Sequence, residues 1–200
     1  MNVSARLIVF AKAPVIGGAK TRLAAGIGKV GAWRIYRAMT ARVLRHLNDP
    51  RWRTVLTIAP DRAVTRRFPG VWPQHVARAG QGGGDLGARQ ARAFEGLGPV
   101  CVIGTDAPGV TRADIAFAFA QLKRHDAVIG PAEDGGYWLL ALNGPAPRGL
   151  FDGVRWSHDQ TRADLEGRLT AHGFTIARLR TLRDVDEAAD LKRPGRPASP

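Results

Sequence analysis

The segment "RLIVFAKAPVIGGAKTRLAAGIGKVGAWRIYRAM" (residues 6–39) carries the reading of the fold. Leu7 to Phe10 form an apolar run of the kind expected of a strand buried on both faces. Three lysines, an arginine, four glycines and a proline then separate it from a helical pattern over 31–47, where Trp33, Tyr36, Met39, Val43, Leu44 and Leu47 recur at helical spacing. In α/β sheets, ligands bind outside the C-terminal ends of the strands, which is where residues 12–22 would lie. Gly17 and Gly18 permit positive φ and close backbone approach. Lys12, Lys20 and Arg22, with backbone N–H groups, would make an anion cradle suited to a di- or triphosphate. A solvated loop that is basic because the whole chain is basic accounts for the composition equally well.

Two phosphate-binding motifs can be tested here. A Walker A loop needs Gly directly before the Lys-Thr pair and another five residues earlier; around Lys20 and Thr21 those places hold Ala19 and Pro14. "GIGKVG" (26–31) matches GxGxxG but begins well after the strand instead of in the tight turn that follows it, so it reads as a lead into the helix.

Beyond this segment, strands are expected at 53–60, 100–106, 126–131 and 174–180, with an apolar extended stretch at 135–143. Helices are expected at 61–68, 86–97, 111–125, 158–172 and 185–191, and a loop at 69–84. Thr111 followed by Asp114 is close to a capping box. Strands alternating with helices imply an α/β fold with a mainly parallel, doubly wound sheet. A single domain over 1–191 and a disordered tail over 192–200 are the expected organisation.

Composition narrows the function classes. No apolar run approaches the roughly 20 residues of a membrane span, and no signal peptide is read at the N-terminus. The single cysteine, Cys101, lies in an apolar run; it excludes an intramolecular disulfide framework and fits a cytoplasmic setting. The net charge is +13, but the basic residues are 25 Arg and five Lys scattered along the chain. Without a zinc-finger, RNP or basic-zipper pattern, nucleic acid is not the expected partner.

Acids supply the chemistry. Asp106 closes the apolar run of "VCVIGTDAPG" (100–109), which puts a hard oxygen ligand at the sheet edge, suited to Mg²⁺ bridging phosphates. "GPAEDGGYWLL" (130–140) joins Glu133 and Asp134 to two glycines, either for close approach to a ligand or for a tight turn. In "LRDVDEAADL" (182–191), Asp184 and Asp186 either complete a metal site with Asp106 or cap the last helix.

The ordered set "FAKAPVIGGAKTRL", "GDLGARQARAF", "GTDAPG", "HDAVIGPAEDGGYWLL", "VRWSHD" and "DVDEAADL" resembles a bacterial family of GT-A-fold, nucleotide-diphospho-sugar transferase-like proteins, labelled DUF2064. That family is often described as glycosyltransferases and includes members assigned to arsenosugar biosynthesis. The resemblance spans about residues 6–191; the first motif is also similar to that of 2-phospholactate nucleotidyltransferases and MobA-type enzymes. It implies a Rossmann-like, three-layer GT-A fold. It further implies that Lys12, Gly17, Lys20 and Arg22 hold nucleotide phosphates, and that Asp106, Asp184 and Asp186 bind Mg²⁺ or Mn²⁺. Asp85, Gly87 and Arg89 in "GDLG", and Asp134, Gly135 and Gly136 in "EDGG", would face the substrate. Trp156 and Ser157 match a "WS" element, with Asp159 just beyond it. Asp134, then Asp159, is the expected proton acceptor. The implied substrate is a nucleotide sugar for glycosyl transfer or, alternatively, a nucleoside triphosphate for nucleotidyl transfer. Ile16, Gly18, Ala107 and His158 depart from the family pattern, as do the missing Thr-Pro pair in "DVDEAADL" and the missing Glu and Met in "GDLGARQ", which implies a shifted substrate preference.

Overall fold

A computed structural model describes residues 5–192. β1 (Arg6–Lys12) lies inside the sheet because both its faces are apolar: Leu7, Val9 and Ala11 enter one core cluster and Ile8 the other. It pairs in parallel with β2 (Arg53–Ala59) on one side and β4 (Pro99–Ile103) on the other. Beyond β2 lies β3 (Ala77–Gly80). Beyond β4 come β6 (Tyr137–Asn143), β5 (Ala127–Pro131) and β7 (Ile176–Arg178), giving the order β3-β2-β1-β4-β6-β5-β7 among the described residues. β6 is antiparallel to both its neighbours, and β7 is parallel to β5.

Helices cover both faces. α1 (Thr21–His46) and α3 (Arg112–Gln121) close one side with Val43, Leu44, Ile115 and Ala118. α2 (Leu86–Ala93) and α4 (Thr161–Ala171) close the other with Ala93, Leu165 and Leu169. Leu7, Leu44, Leu139 and Leu165 have no exposed area; truncating one to Ala would cost about 2–5 kcal/mol. The result is the expected three-layer α/β fold with a mainly parallel sheet. No helix among the described residues is long and apolar enough to cross a membrane.

Several local expectations are corrected. α1 begins at Thr21, ten residues before the expected start at 31, and "GIGKVG" is helical apart from a break at Gly28 (φ 77°, ψ 158°). The expected 61–68 helix is a single 3-10 turn over Asp61–Ala63. The expected 69–84 loop contains β3, an edge strand whose residues are half-buried or exposed and so carry no apolar signal. The last helix is a 3-10 turn, Ala188–Lys192, so Lys192 belongs to an element rather than to the expected tail. Residues 193–200 of that tail lie outside the described residues. The capping box holds: the Thr111 hydroxyl accepts from the Asp114 N–H, and the Asp114 carboxylate accepts from the Thr111 N–H.

The winding reverses between β1 and β4, and the loops leaving their C-terminal ends meet there. The segment after β7 reaches the same place by crossing the end of β5. Leu182 donates to Pro131 O at 3.0 Å, Glu133 donates to Leu182 O at 3.0 Å, and Val185 donates to Asp106 O at 3.0 Å. Two acids more than 160 residues from Lys20 are thereby carried to it.

Candidate active site

The first loop is fastened to α1. The Tyr36 hydroxyl accepts from Lys12 N at 2.7 Å and donates to Lys12 O at 2.9 Å, and the Trp33 indole donates to Pro14 O at 2.7 Å. Gly17 takes the expected positive φ (75°) in open space. At Gly18 the φ is ordinary, but a Cβ would meet Val15 Cγ2 at 2.7 Å, so the need there is for space. Lys20 holds the N-cap of α1 in a left-handed conformation (φ 56°, ψ 49°), with no side-chain cap of its own. For a residue with a Cβ, that conformation costs about 1–2 kcal/mol.

It turns the Lys20 side chain into the cleft, where 4% of it is exposed and Nζ lies 2.6 Å from Asp106 Oδ1 and 2.6 Å from Asp186 Oδ1. Burial alone would lower the Lys20 pKa; the Asp106 and Asp186 carboxylates overcome this and raise it, so the ammonium stays charged. Asp184 stands beside the group with a buried Oδ1 that has no hydrogen-bond partner. Burial, reinforced by the negative charges of Asp106, Asp134 and Asp186, pushes its pKa up to about 7, and Lys20 only partly opposes this. Neither Asp184 nor Asp186 serves the last turn as a cap; the Asp190 carboxylate does that, accepting from Asp186 N at 3.0 Å and Glu187 N at 2.8 Å.

The expected metal-binding trio is therefore brought together, but around an ammonium. Among the described residues, no three carboxylate, imidazole or thiol groups are gathered tightly enough to hold one ion. Asp106 and Asp186 are closed on Lys20, with Asp184 held alongside.

These groups line a cleft of about 600 Å³ that also receives Lys12, Arg22, Arg89, Asp134, Gly136 and Asp159. Lys12 and Arg22 are exposed and have no ion-pair partner among the described residues. The Asp134 carboxylate accepts from Gly136 N at 2.9 Å. Gly135 (φ 85°) packs on the main chain of Asp159, where no Cβ fits, and its carbonyl accepts from Arg162 N at 3.1 Å. This seats the 132–136 turn on the segment bearing Trp156, Ser157 (φ 58°) and Asp159. The Asp159 carboxylate lies 2.7 Å from His158 Nδ1.

Two further expected substrate-facing residues, like Gly135, have other tasks. Asp85 is the N-cap of α2, accepting from Ala88 N at 2.8 Å. Gly87 is buried where a Cβ would meet Trp156 at 3.2 Å and Phe151 at 3.3 Å, so it sets the packing of α2. Neither lines the cleft; Arg89, from the same element, does.

Gln81, unremarked in the sequence, is 8% exposed and donates to Ala11 O and Thr57 O at 3.1 Å each, tying β1 to β2 at the cleft floor. Tyr36, Gln90 and Tyr137 also line the cleft without having been singled out for it. Gln90 Oε1 and the Tyr137 hydroxyl are buried there with no partner. A lone Gln in "AGQGGG" reads as loop, and an aromatic or amide on an apolar face reads as core, so the sequence held no signal for any of them.

The chain matches over residues 42–158 the model of a family described as an uncharacterized protein conserved in bacteria (DUF2064). No curated protein matches it. Among solved structures it is similar to a Desulfovibrio desulfuricans G20 protein provisionally described as a nucleotide-diphospho-sugar transferase. That pair is 27% identical with a TM-score of 0.85, covering 92% of this chain and 82% of the other. A CMP:2-keto-3-deoxy-manno-octonic acid synthetase complexed with CTP is 12% identical, with a TM-score of 0.59 and coverage of 94% and 95%. Rv0371c of Mycobacterium tuberculosis, solved in complex with manganese, is 16% identical, with a TM-score of 0.51 and coverage of 95% and 97%. The last two share the fold.

Proposed function

The chain belongs to the DUF2064 family, and from that premise we propose that it is a transferase using a nucleotide-activated donor and a divalent cation, Mg²⁺ or Mn²⁺. The reading supported best is glycosyl transfer from a nucleotide-diphospho-sugar. The observation that carries it is the convergence of Asp106 and Asp186 on one cation, Lys20 Nζ, beside a third carboxylate, Asp184, with an unpartnered oxygen. Hard carboxylate oxygens from two loops, one of them orphaned, fit Mg²⁺ or Mn²⁺, and the Lys20 ammonium stands in for that cation. Asp106 and Asp186, which already meet at one cation, would hold the metal, with Asp184 alongside. When bound, a divalent cation supplies compensation for the charge that gathers on the leaving diphosphate.

The chain's own residues do the rest. Lys12, Arg22 and Arg89 bind and orient the phosphates from the cleft wall. Gly17 keeps the first loop open to them. Asp134, fixed through Gly136, accepts the proton of the acceptor hydroxyl as it attacks the anomeric carbon, and Asp159 is the second candidate for that task. A second reading, nucleotidyl transfer with release of pyrophosphate, is favoured by Lys12 and Arg22, two cations without an ion-pair partner among the described residues, which suit a triphosphate.

Calorimetric titration with Mg²⁺-nucleoside triphosphates and with Mg²⁺-nucleotide sugars separates the two. Tighter binding of a nucleotide sugar supports glycosyl transfer and identifies the donor. Tighter binding of a triphosphate supports nucleotidyl transfer, and binding of neither rejects the site.

A further inference from the structure

We infer that Lys20 is a tethered cation that occupies the metal position until nucleotide phosphates draw it away, which makes metal and nucleotide binding mutually reinforcing. The inference rests on the metal-dependent reading above and adds how that site is regulated.

Lys20 Nζ lies 2.6 Å from one oxygen of Asp106 and 2.6 Å from one of Asp186. A divalent cation coordinating the same oxygens would stand where the ammonium does, and neither charge separation nor space allows both. The two cations are therefore alternatives. Lys20 has the advantage of attachment, since a tethered group competes at a high effective concentration. It is also a compact point charge on a flexible stem, able to leave the carboxylates and reach a phosphate without unwinding α1. The left-handed conformation at Lys20 aims it at the acids (φ 56°).

The consequence is a sign. A metal arriving alone must expel the ammonium towards cleft carboxylates that already have partners, Asp134 with Gly136 N and Asp159 with His158. A metal arriving with a di- or triphosphate brings the ammonium's next partner. Each ligand then raises the affinity of the other by the same factor. A lysine serving only to bind phosphate would not affect metal affinity in the absence of nucleotide, and one serving only to shape the site would lower it when removed.

The test measures Mn²⁺ binding without nucleotide, by electron paramagnetic resonance, in the wild type and in Lys20→Met. The expected result is tighter Mn²⁺ binding by the variant, by about tenfold. Equal or weaker binding by a folded variant overturns the competition while leaving the metal site standing. Absence of Mn²⁺ binding in both proteins overturns the metal-dependent reading and this inference together. A second measurement uses the wild type alone, so it is independent of whether the variant folds. The chain has five lysines, and in lysine-labelled protein the Nζ signal of Lys20 should move when Mg²⁺ and a nucleoside diphosphate are added together. A signal that stays unchanged when both are bound overturns the displacement.

Discussion

Asp49, Asp114, Asp164 and Glu166 each face an arginine within 2.7–2.8 Å, whereas Asp106, Asp184 and Asp186 gather at one lysine with Asp134 nearby. Asp184 titrates in the opposite direction to the outer acids. Hydrogen bonds from Arg51 and Arg155 hold Asp49 and Asp164 at about 2, and Arg178 lowers Glu166. Burial and like charge raise Asp184 to about 7. In a chain with a net charge of +13, a shortage of cations at one place is a local arrangement and not a consequence of composition. Outer acids have their charge answered by neighbours in the fold. Inner acids are short of cations at the switch point of the sheet, and a departure from the local rule of that kind marks a functional site.

The largest expected effect comes from removing an inner carboxylate. Asp106→Asn should leave the fold intact and weaken metal-dependent nucleotide binding by at least about 100-fold, above what outer partners of a metal site are worth. Calorimetry with and without Mg²⁺ checks it, and an unchanged metal dependence would break the contrast by removing the inner group's purpose.

Next come the glycines that seat the inner loops. At Gly135 a Cβ would overlap the Asp159 carbonyl and φ is 85°, whereas Gly17, at φ 75°, has nothing within 4 Å. Gly135→Ala should therefore destabilise by about 3 kcal/mol or more, through clash and strain together. Gly17→Ala should cost only about 1 kcal/mol, from conformation alone. Urea denaturation distinguishes them; equal effects would mean that the 132–136 turn is not held by the 157–162 segment.

These residues also show what a sequence can and cannot carry. β1, β2 and the Thr111 box were legible because each is a local pattern of apolar run or cap. β3 was not, since four half-buried or exposed residues at a sheet edge have no periodicity. The early start of α1 was hidden because Lys20 caps it with backbone conformation and no side-chain bond. The acids were recognisable one by one, as residues at strand ends and in matched motifs. Their common partner was not, for Lys20 and Asp186 lie 166 positions apart and meet through the path of the chain after β7. Asp85 misled for a related reason: an acid before a helix reads alike whether it faces a ligand or caps the first turn.

The two smaller predictions set the groups against each other along the pH axis, in metal-free protein. Asp184 has its folded pKa raised from 3.8 to about 7. The folded state then binds the extra proton, and stability falls as pH rises from about 4 to about 7 and is level above. Asp184→Asn should remove that fall, so the variant gains on the wild type across this window, by about 2–4 kcal/mol at pH 8.

Asp114 should behave with the opposite sign. Its burial alone would raise the pKa, but the Arg180 guanidinium, at 2.7 Å from both carboxylate oxygens, and the hydroxyl and amide of Thr111 lower it. The stabilisation is present above the unfolded value of 3.8 and is lost as pH falls through the lowered folded value. The same side chain links the start of α3 to the segment after β7, because Arg180 also donates to Gly109 O at 2.9 Å and its carbonyl accepts from the Trp138 indole at 3.1 Å. Asp114→Asn should cost about 1–2 kcal/mol at pH 7, the worth of a cap and a charge-assisted pair. It should cost progressively less below pH 4. Thermal unfolding of both variants at matched pH values would then give curves that diverge from the wild type in opposite directions. Curves that moved together would mean that inner and outer acids meet the same electrostatic environment, and that the crowding around Lys20 has no energetic cost for a ligand to relieve.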